Sequence, residues 1–195
     1  MNYNKLFEKF PIIENDNLLL KQIQKADLED YIEINMDTEL YRFKPGEPRK
    51  TISAVENIIG HHERDFHKKI IINLGIYLKK EAYKMVGVAE IFDIDTKVNA
   101  ATIGYTLNKK YWGKGIATES TALILEYLFY EIDVNRIQAF VMPQNEKSKN
   151  VLLRNKFIKE GTIRQGNYWK GRGVVDLELY SILRSEYSQL SVLQL

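Results

Sequence analysis

Residues 109–120 read KKYWGKGIATES, and two glycines around one lysine, Gly113-Lys114-Gly115, stand between two different periodicities. Upstream, Ala101-Thr102-Ile103-Gly104-Tyr105-Thr106-Leu107 alternates with the two-residue period of a strand, and downstream the run from Ile116 toward Glu131 has helical spacing. A glycine loop therefore opens a helix. A Walker-type loop would place glycine where Asn108 stands and Ser or Thr where Gly115 stands. A dinucleotide fingerprint would want a glycine in place of Thr118 and a turn directly off the strand. What survives is the physics common to both. Glycines let the backbone approach closely, and the first N–H groups of the helix, near Gly115 to Thr118, face an anion in the field of the helix dipole. A diphosphate fits such a site; on the loop alone, a plain glycine turn before a core helix fits as well.

The rest of the chain limits what the loop can serve. A chain of 195 residues with 45% hydrophobic content can bury a core and is short enough for a single domain over 1–195, with 1–15 and 186–195 expected as peripheral extensions. It contains no cysteine, which excludes disulfides and a thiol nucleophile and suits a cytoplasmic setting. No segment approaches the roughly 20 apolar residues of a membrane span, so a soluble protein without membrane contact is expected. A net charge of +2, from 28 basic and 26 acidic residues, is too balanced to announce direct nucleic-acid binding.

Leu18 to Ile23 reads as a first strand, Asp27 can cap a helix carrying Leu28, Tyr31, Ile32 and Ile34, and Ser53 or Thr51 can cap a second helix through Phe66. Three strands follow, Ile70 to Leu78, Met85 to Phe92 and Ala101 to Leu107, most simply as an antiparallel meander. After the loop and its helix come a strand at Arg136 to Met142, a helix at Asn145 to Arg154, and strands near Phe157 to Arg164 and Val174 to Leu183. The order is mixed α/β.

A second stretch, Met142-Pro143-Gln144-Asn145-Glu146-Lys147-Ser148, then Phe157 and Glu160-Gly161, joins the first in the order and spacing of a known family. Together they resemble the GNAT superfamily of acetyl-coenzyme A dependent N-acetyltransferases, in the branch that acetylates ribosomal-protein N-termini. The likeness extends through Ile103-Gly104-Tyr105, Arg164 and Asp176, and in the N-terminal half it is one of element order. It implies a GNAT fold: a mostly antiparallel sheet of six to seven strands, splayed at the middle and flanked by about four helices. It also implies acetyl transfer from acetyl-CoA directly to a primary amine, first a protein N-terminus such as that of a ribosomal protein. A polyamine or aminoglycoside acceptor, or a non-catalytic acyl-CoA binding module, are the alternatives; the protein would be a monomer or homodimer, without a metal.

By the same resemblance the backbone of Trp112, Gly113, Lys114, Gly115, Ile116, Ala117 and Thr118 would hold the coenzyme's pyrophosphate. The pantetheine arm would run between the strands beginning near Ala101 and Arg136. Lys114 would add charge or simply be solvated, and Lys110 stands where many relatives have Gln or Arg. Asn145 would contact the pantetheine while capping its helix, and Ser148 would stabilise the departing thiolate. Lys156 replaces a common glycine at a helix end where positive φ is often needed. Glu90, within an apolar strand, is either on the sheet's solvated face or a general base with raised pKa. The glutamate that some relatives carry shortly after the pair matching Arg164-Gln165 is here Asn167, and an amide cannot serve as base. An acidic run, Asp27-Glu29-Asp30-Glu33-Asp37-Glu39, could line a polyamine groove or be a solvated helix face. His62 and His67 are spaced one residue too far apart for a zinc-binding pair on one helix face. Tyr41, Phe43, Tyr168 and Trp169 would border the acceptor pocket, Phe43 as core packing. Leu190 to Leu195 reads as a frayed tail.

Overall fold

The computed structural model describes residues 1–192, with side chains through Ser188. Eight strands form one sheet in the order β1-β2-β3-β4-β5-β6-β8-β7. They are β1 (Ile13–Glu14), β2 (Leu18–Gln22), β3 (Ile71–Leu78), β4 (Lys84–Asp95), β5 (Ala100–Leu107), β6 (Arg136–Val141), β7 (Ile158–Trp169) and β8 (Gly173–Leu183). The strand beyond the expected seven is β1, whose two residues are too few to show alternation. β7 also runs past the expected Arg164 to Trp169, through an irregularity between Ile163 and Asn167.

Among the described residues six α-helices accompany the sheet: α1 (Tyr3–Leu6), α2 (Leu28–Asn35), α3 (Ile52–His67), α4 (Ile116–Glu126), α5 (Glu146–Arg154) and α6 (Arg184–Val192). Thr51, not Ser53, caps α3, its hydroxyl accepting from the Ala54 N–H at 3.2 Å. Asp27 precedes α2 without capping it; its carboxylate instead accepts from the Gln24 N–H and the Tyr77 hydroxyl. Beyond α4 the chain continues as a π-helical turn, Tyr127–Glu131. Lys156 does adopt a left-handed φ of 65° just past α5.

Alternation along the strands sends their residues into two cores. Ala89, Ile91 and Ile103 pack with Ile116, Ile124 and Leu152 of α4 and α5, whereas Val88 and Met85 pack with Tyr31 and Ile34 of α2 and Val55 and Ile59 of α3. The ends of the chain are less peripheral than expected. Leu6 and Phe7 are buried in the larger core, Phe10 stacks on Phe66 at 3.9 Å, and the Tyr187 ring lies 5.0 Å from Phe129. Of the expected C-terminal tail, residues 190–192 belong to α6 and residues 193–195 lie outside the described residues.

What positions the site is the junction of β5 and β6. Every other neighbouring pair is antiparallel, while these two are parallel and pair only at Ala100, Ala101 and Thr102 with Arg136, Ile137 and Gln138. Beyond Thr102 both strands continue without pairing each other, so the sheet opens into a V. Its closed end is pinned where Gln138 donates to the Thr102 hydroxyl at 3.2 Å and where Arg136 grips Glu160 of β7 with two hydrogen bonds of 2.7 Å.

Candidate active site

A cavity of about 460 Å³ occupies the V. Ile103 to Thr106 of β5 and Ala139 to Val141 of β6 form its edges, Thr121 and Ile124 of α4 and Ser148 of α5 lie on one side, and Glu90 and Lys44 on the other. The two sides correspond to the two faces of the sheet. Glu90 pairs across the ladders with Gly104 and shares its face, that of α2 and α3, while Tyr105, one residue on, shares the opposite face with Ala89. Only the split between β5 and β6 lets groups from both faces meet in one space.

On the α5 side the geometry centres on the Ser148 hydroxyl. Tyr105 donates to its Oγ at 3.1 Å and the Asn145 side-chain amide at 3.0 Å, while Asn145 Oδ1 accepts the Ser148 backbone N–H at 3.2 Å. Asn145 is therefore the N-cap of α5 and the clamp of Ser148 at once. A hydroxyl oxygen offers two lone pairs, so Ser148 has both filled and keeps its own proton to give. Burial raises the Tyr105 pKa, with the bond to Ser148 opposing, so Tyr105 remains a donor near neutral pH.

On the other side Glu90 is neither on a solvated face nor paired: among the described residues it makes no hydrogen bond or ion pair, and it borders the cavity. Burial raises its carboxyl above the ordinary value, against the pull of the nearby Lys44 charge. Gly104 makes the room, since a Cβ there would stand 3.1 Å from Glu90 Oε2. Asn167 also borders the cavity, brought there with Gly166 by the β7 irregularity, so the position that lacks the glutamate faces the same space as Glu90 and Ser148.

The loop residues Trp112 to Thr118 do not line the cavity; they lie at the end of α4, whose Thr121 and Ile124 do. Gly113 and Gly115 adopt φ of 73° and 81°, with open space where a Cβ would stand. Gly115 is the N-cap of α4 and supplies no side chain, so the first N–H groups of Ile116, Ala117 and Thr118 face outward as in any uncapped helix start. Glu119, the one acid of that turn, is drawn aside by the Asn15 and Asn17 amides at 2.8 and 3.1 Å. Lys110 pairs with Glu33 and Lys109 with Asp37, but Lys114 and Lys147 make no ion pair among the described residues, their ammonium groups lying 4.8 Å from the Tyr111 ring and 4.4 Å from the Trp112 ring. The result is a glycine turn with open backbone donors beside two cations that have no ion pair among the described residues, which fits a diphosphate.

Several residues sit elsewhere than the sequence suggested. Trp169, expected to border the pocket rather than pack, does both: it is 7% exposed in a small cluster with Met142, Val175 and Leu177, against which Phe43 packs, and it lines the cavity. Tyr168 is 70% exposed and lines no described cavity. His62 lies 2.5 Å from the Tyr31 hydroxyl, and the His67 ring rests edge-on against Phe66. Tyr105 carries no local signal of a role in the sequence, because its contact with Ser148 joins residues 43 positions apart. Lys44 had only a turn-rich segment for context.

Residues 17–158 match the acetyltransferase (GNAT) domain family. The chain belongs to that family. GNAT enzymes are acetyltransferases that take their acetyl group from acetyl-CoA, and this chain is an N-acetyltransferase of that kind. It is 30% identical over 90% of its length to the uncharacterized N-acetyltransferase YoaA of Bacillus subtilis, covering 98% of that protein. It is 27% identical to the putative ribosomal N-acetyltransferase YdaF of Bacillus subtilis, over 89% of this chain and 94% of that one. With the spermidine N(1)-acetyltransferase of Vibrio cholerae the identity is 22%, over 89% and 96%. The crystal structure of a GNAT acetyltransferase from Bacillus anthracis superposes with a TM-score of 0.80 at 24% identity, covering 90% of this chain and all of that one, which shows the shared fold. No described helix is long and apolar enough to cross a membrane.

Proposed function

We propose that this GNAT enzyme acetylates the α-amine of a protein or peptide N-terminus, and that its acetyl donor lies along α4 and through the V while the amine enters from the side of α2 and α3. The observation that carries this reading is the single cavity holding Ser148 and Glu90 on opposite sides of the split sheet. Acetyl-CoA supplies an activated acyl carbon and a thiolate leaving group. The uncapped start of α4 and the ammonium groups of Lys114 and Lys147 would hold its diphosphate, and the unpaired edges of β5 and β6 would flank its arm.

Glu90 receives the proton of the attacking amine, directly or through water. An α-amine with a pKa of about 8 is already partly neutral at cellular pH and asks little of that base, whereas an alkylamine near 10.4 asks far more. Ser148 donates its hydrogen bond to the sulfur as the carbon–sulfur bond breaks. Its hydroxyl is far weaker an acid than a thiol, so it stabilises the developing thiolate without having to surrender its proton.

Charge argues against a polyamine. Such an acceptor needs an acidic groove, and five of the six acids of the run are engaged by the protein's own groups, Asp30 by Lys84, Glu33 by Asn108 and Lys110, Asp37 and Glu39 by Lys109, and Asp27 by Tyr77, while Glu29 is exposed. None of them lines either described cavity. The ribosomal-protein acceptor is the first candidate because the resemblance and the relative YdaF both point to that class.

The test is kcat/KM for Glu90→Gln across pH with a peptide substrate. If Glu90 is the base, the loss is about 10- to 100-fold at pH 6.5 and shrinks above pH ~8, where the α-amine deprotonates unaided. A loss that is absent at pH 6.5, or spermidine outcompeting every peptide, removes the proposal.

A further inference from the structure

A second hollow, of about 570 Å³, adjoins the first, and Lys44, Pro45 and Glu90 belong to the walls of both. Its other charged walls come from the segment after α2, Glu47, Arg49 and Lys50, and from Lys170 in the turn between β7 and β8. Lys170 and Glu47 pair at 3.1 Å, which ties the two loops together across the rim. Arg49 and Lys50 make no ion pair among the described residues, while the Arg49 backbone N–H is fixed on the Asn35 carbonyl at 2.9 Å. His62, also in the wall, adds no charge at pH 7, since burial lowers its pKa to about 4. Basic groups therefore exceed acidic ones even with Glu90 ionised.

Lys44 is the unusual member. Its side chain is half-buried, with the Tyr41 ring 5.0 Å from the ammonium, and it makes no hydrogen bond or ion pair with a described residue. Burial pushes its pKa down, Glu90 counters this and Arg49 adds to it. A half-buried cation without a hydrogen-bonding partner in the protein is costly, and so is the half-buried, unpaired carboxylate of Glu90 beside it. The two are near enough to feel each other's charge yet are not joined. A ligand carrying an amine and an anion together would relieve both.

We infer that this hollow binds an anionic group, a carboxylate or a phosphate, carried by the acceptor close to its amine, with Lys44 and Arg49 as its partners and Glu90 facing the amine. The inference rests on the proposed entry of the amine beside Glu90 and adds the acceptor's charge class. It makes the preferred peptide one with an acidic or phosphorylated residue directly after the N-terminal one.

The test uses the full-length protein, acetyl-CoA and peptides Ser-Xaa-Ala-Tyr in which Xaa is Asp, phosphoserine, Ala or Lys. The Asp or phosphoserine peptide is expected to exceed the Ala peptide in kcat/KM by about tenfold or more, with Lys lowest, and the advantage should shrink as salt rises. Whichever of the Asp and phosphoserine arms is faster identifies carboxylate or phosphate as the group bound. Arg49 is exposed, so Arg49→Glu should fold, and it should turn the order around in favour of Lys while leaving the KM for acetyl-CoA in place. Equal kcat/KM for Asp, phosphoserine and Ala overturns the anion site but leaves N-terminal transfer standing. Acetylation of spermidine and of no peptide overturns the acceptor assignment itself.

Discussion

Ser148 is held by two donors, and removing either should have a graded effect. Ser148→Ala takes away the hydrogen bond to the departing sulfur, so kcat should fall about 10- to 1000-fold with coenzyme affinity near normal. Tyr105→Phe takes away one of the two groups that orient the hydroxyl, while the Asn145 amide still holds it at 3.0 Å. Its expected loss is smaller, about 3- to 10-fold, the worth of one ordinary hydrogen bond. A Tyr105→Phe loss greater than that of Ser148→Ala, measured by steady-state kinetics, would make Tyr105 the group that meets the sulfur. Asn145 and Ser148 were readable as residues because a cap and a hydroxyl three positions apart share one helical turn. Tyr105 was not, because alternation says which face of a strand a residue takes but not what lies over that face.

At the scale of elements, the loop and α4 act as one anion site. The backbone at Gly115 has a φ of 81°, and a Cβ there would meet nothing within 4 Å. Gly115→Val should therefore cost about 1–2 kcal/mol of stability through the left-handed conformation alone, with no clash inside the protein. The side chain would nevertheless stand where an anion must approach the first N–H groups of α4. Coenzyme A affinity measured by calorimetry should fall about tenfold or more, and Lys114→Ala, which removes one exposed charge, should cost only a few-fold. Unchanged affinity in Gly115→Val would move the diphosphate elsewhere. The strand–loop–helix order was plain in the sequence, and so was the antiparallel meander of β3, β4 and β5. The second half of β7 was not, because its irregular register breaks the two-residue period on which strand reading depends.

For the molecule as a whole, acid sensitivity should come from the joint between α2 and α3, where Tyr31 meets His62. The folded pKa of His62 is about 4, below its ordinary 6.5, with burial the largest cause. Between those values the unfolded chain binds more protons than the folded one, so stability is full above pH ~6.5 and is lost as pH falls toward 4. A shift of this size corresponds to about 3 kcal/mol at most. Glu160, held down at about pH 2 mainly by Arg136 and then by Ser181, contributes stability that is present above its ordinary carboxylate range and is lost as pH falls from there through 2. Urea unfolding at pH 7 and pH 4.5 should show the wild type losing more stability than His62→Gln, and equal losses would remove His62 as the cause.

What the sequence determined by itself was local and periodic: strands from alternation, helices from caps and apolar spacing, a glycine turn at a helix start, a serine one turn from its capping asparagine. These follow from interactions within a few residues, which a linear reading contains. Only the tertiary structure decided that β5 and β6 part after Thr102, that Glu90 and Ser148 reach one cavity from opposite faces, and that Tyr105 fills the second lone pair of Ser148. It also decided that Asp30, Glu33, Asp37 and Glu39 pair with lysines while Lys44, in an unremarkable turn, is half-buried without a hydrogen-bonding partner among the described residues. Burial and pairing depend on which distant segments fold over a residue, and that is set by the packing of the whole sheet and its helices rather than by neighbours along the chain.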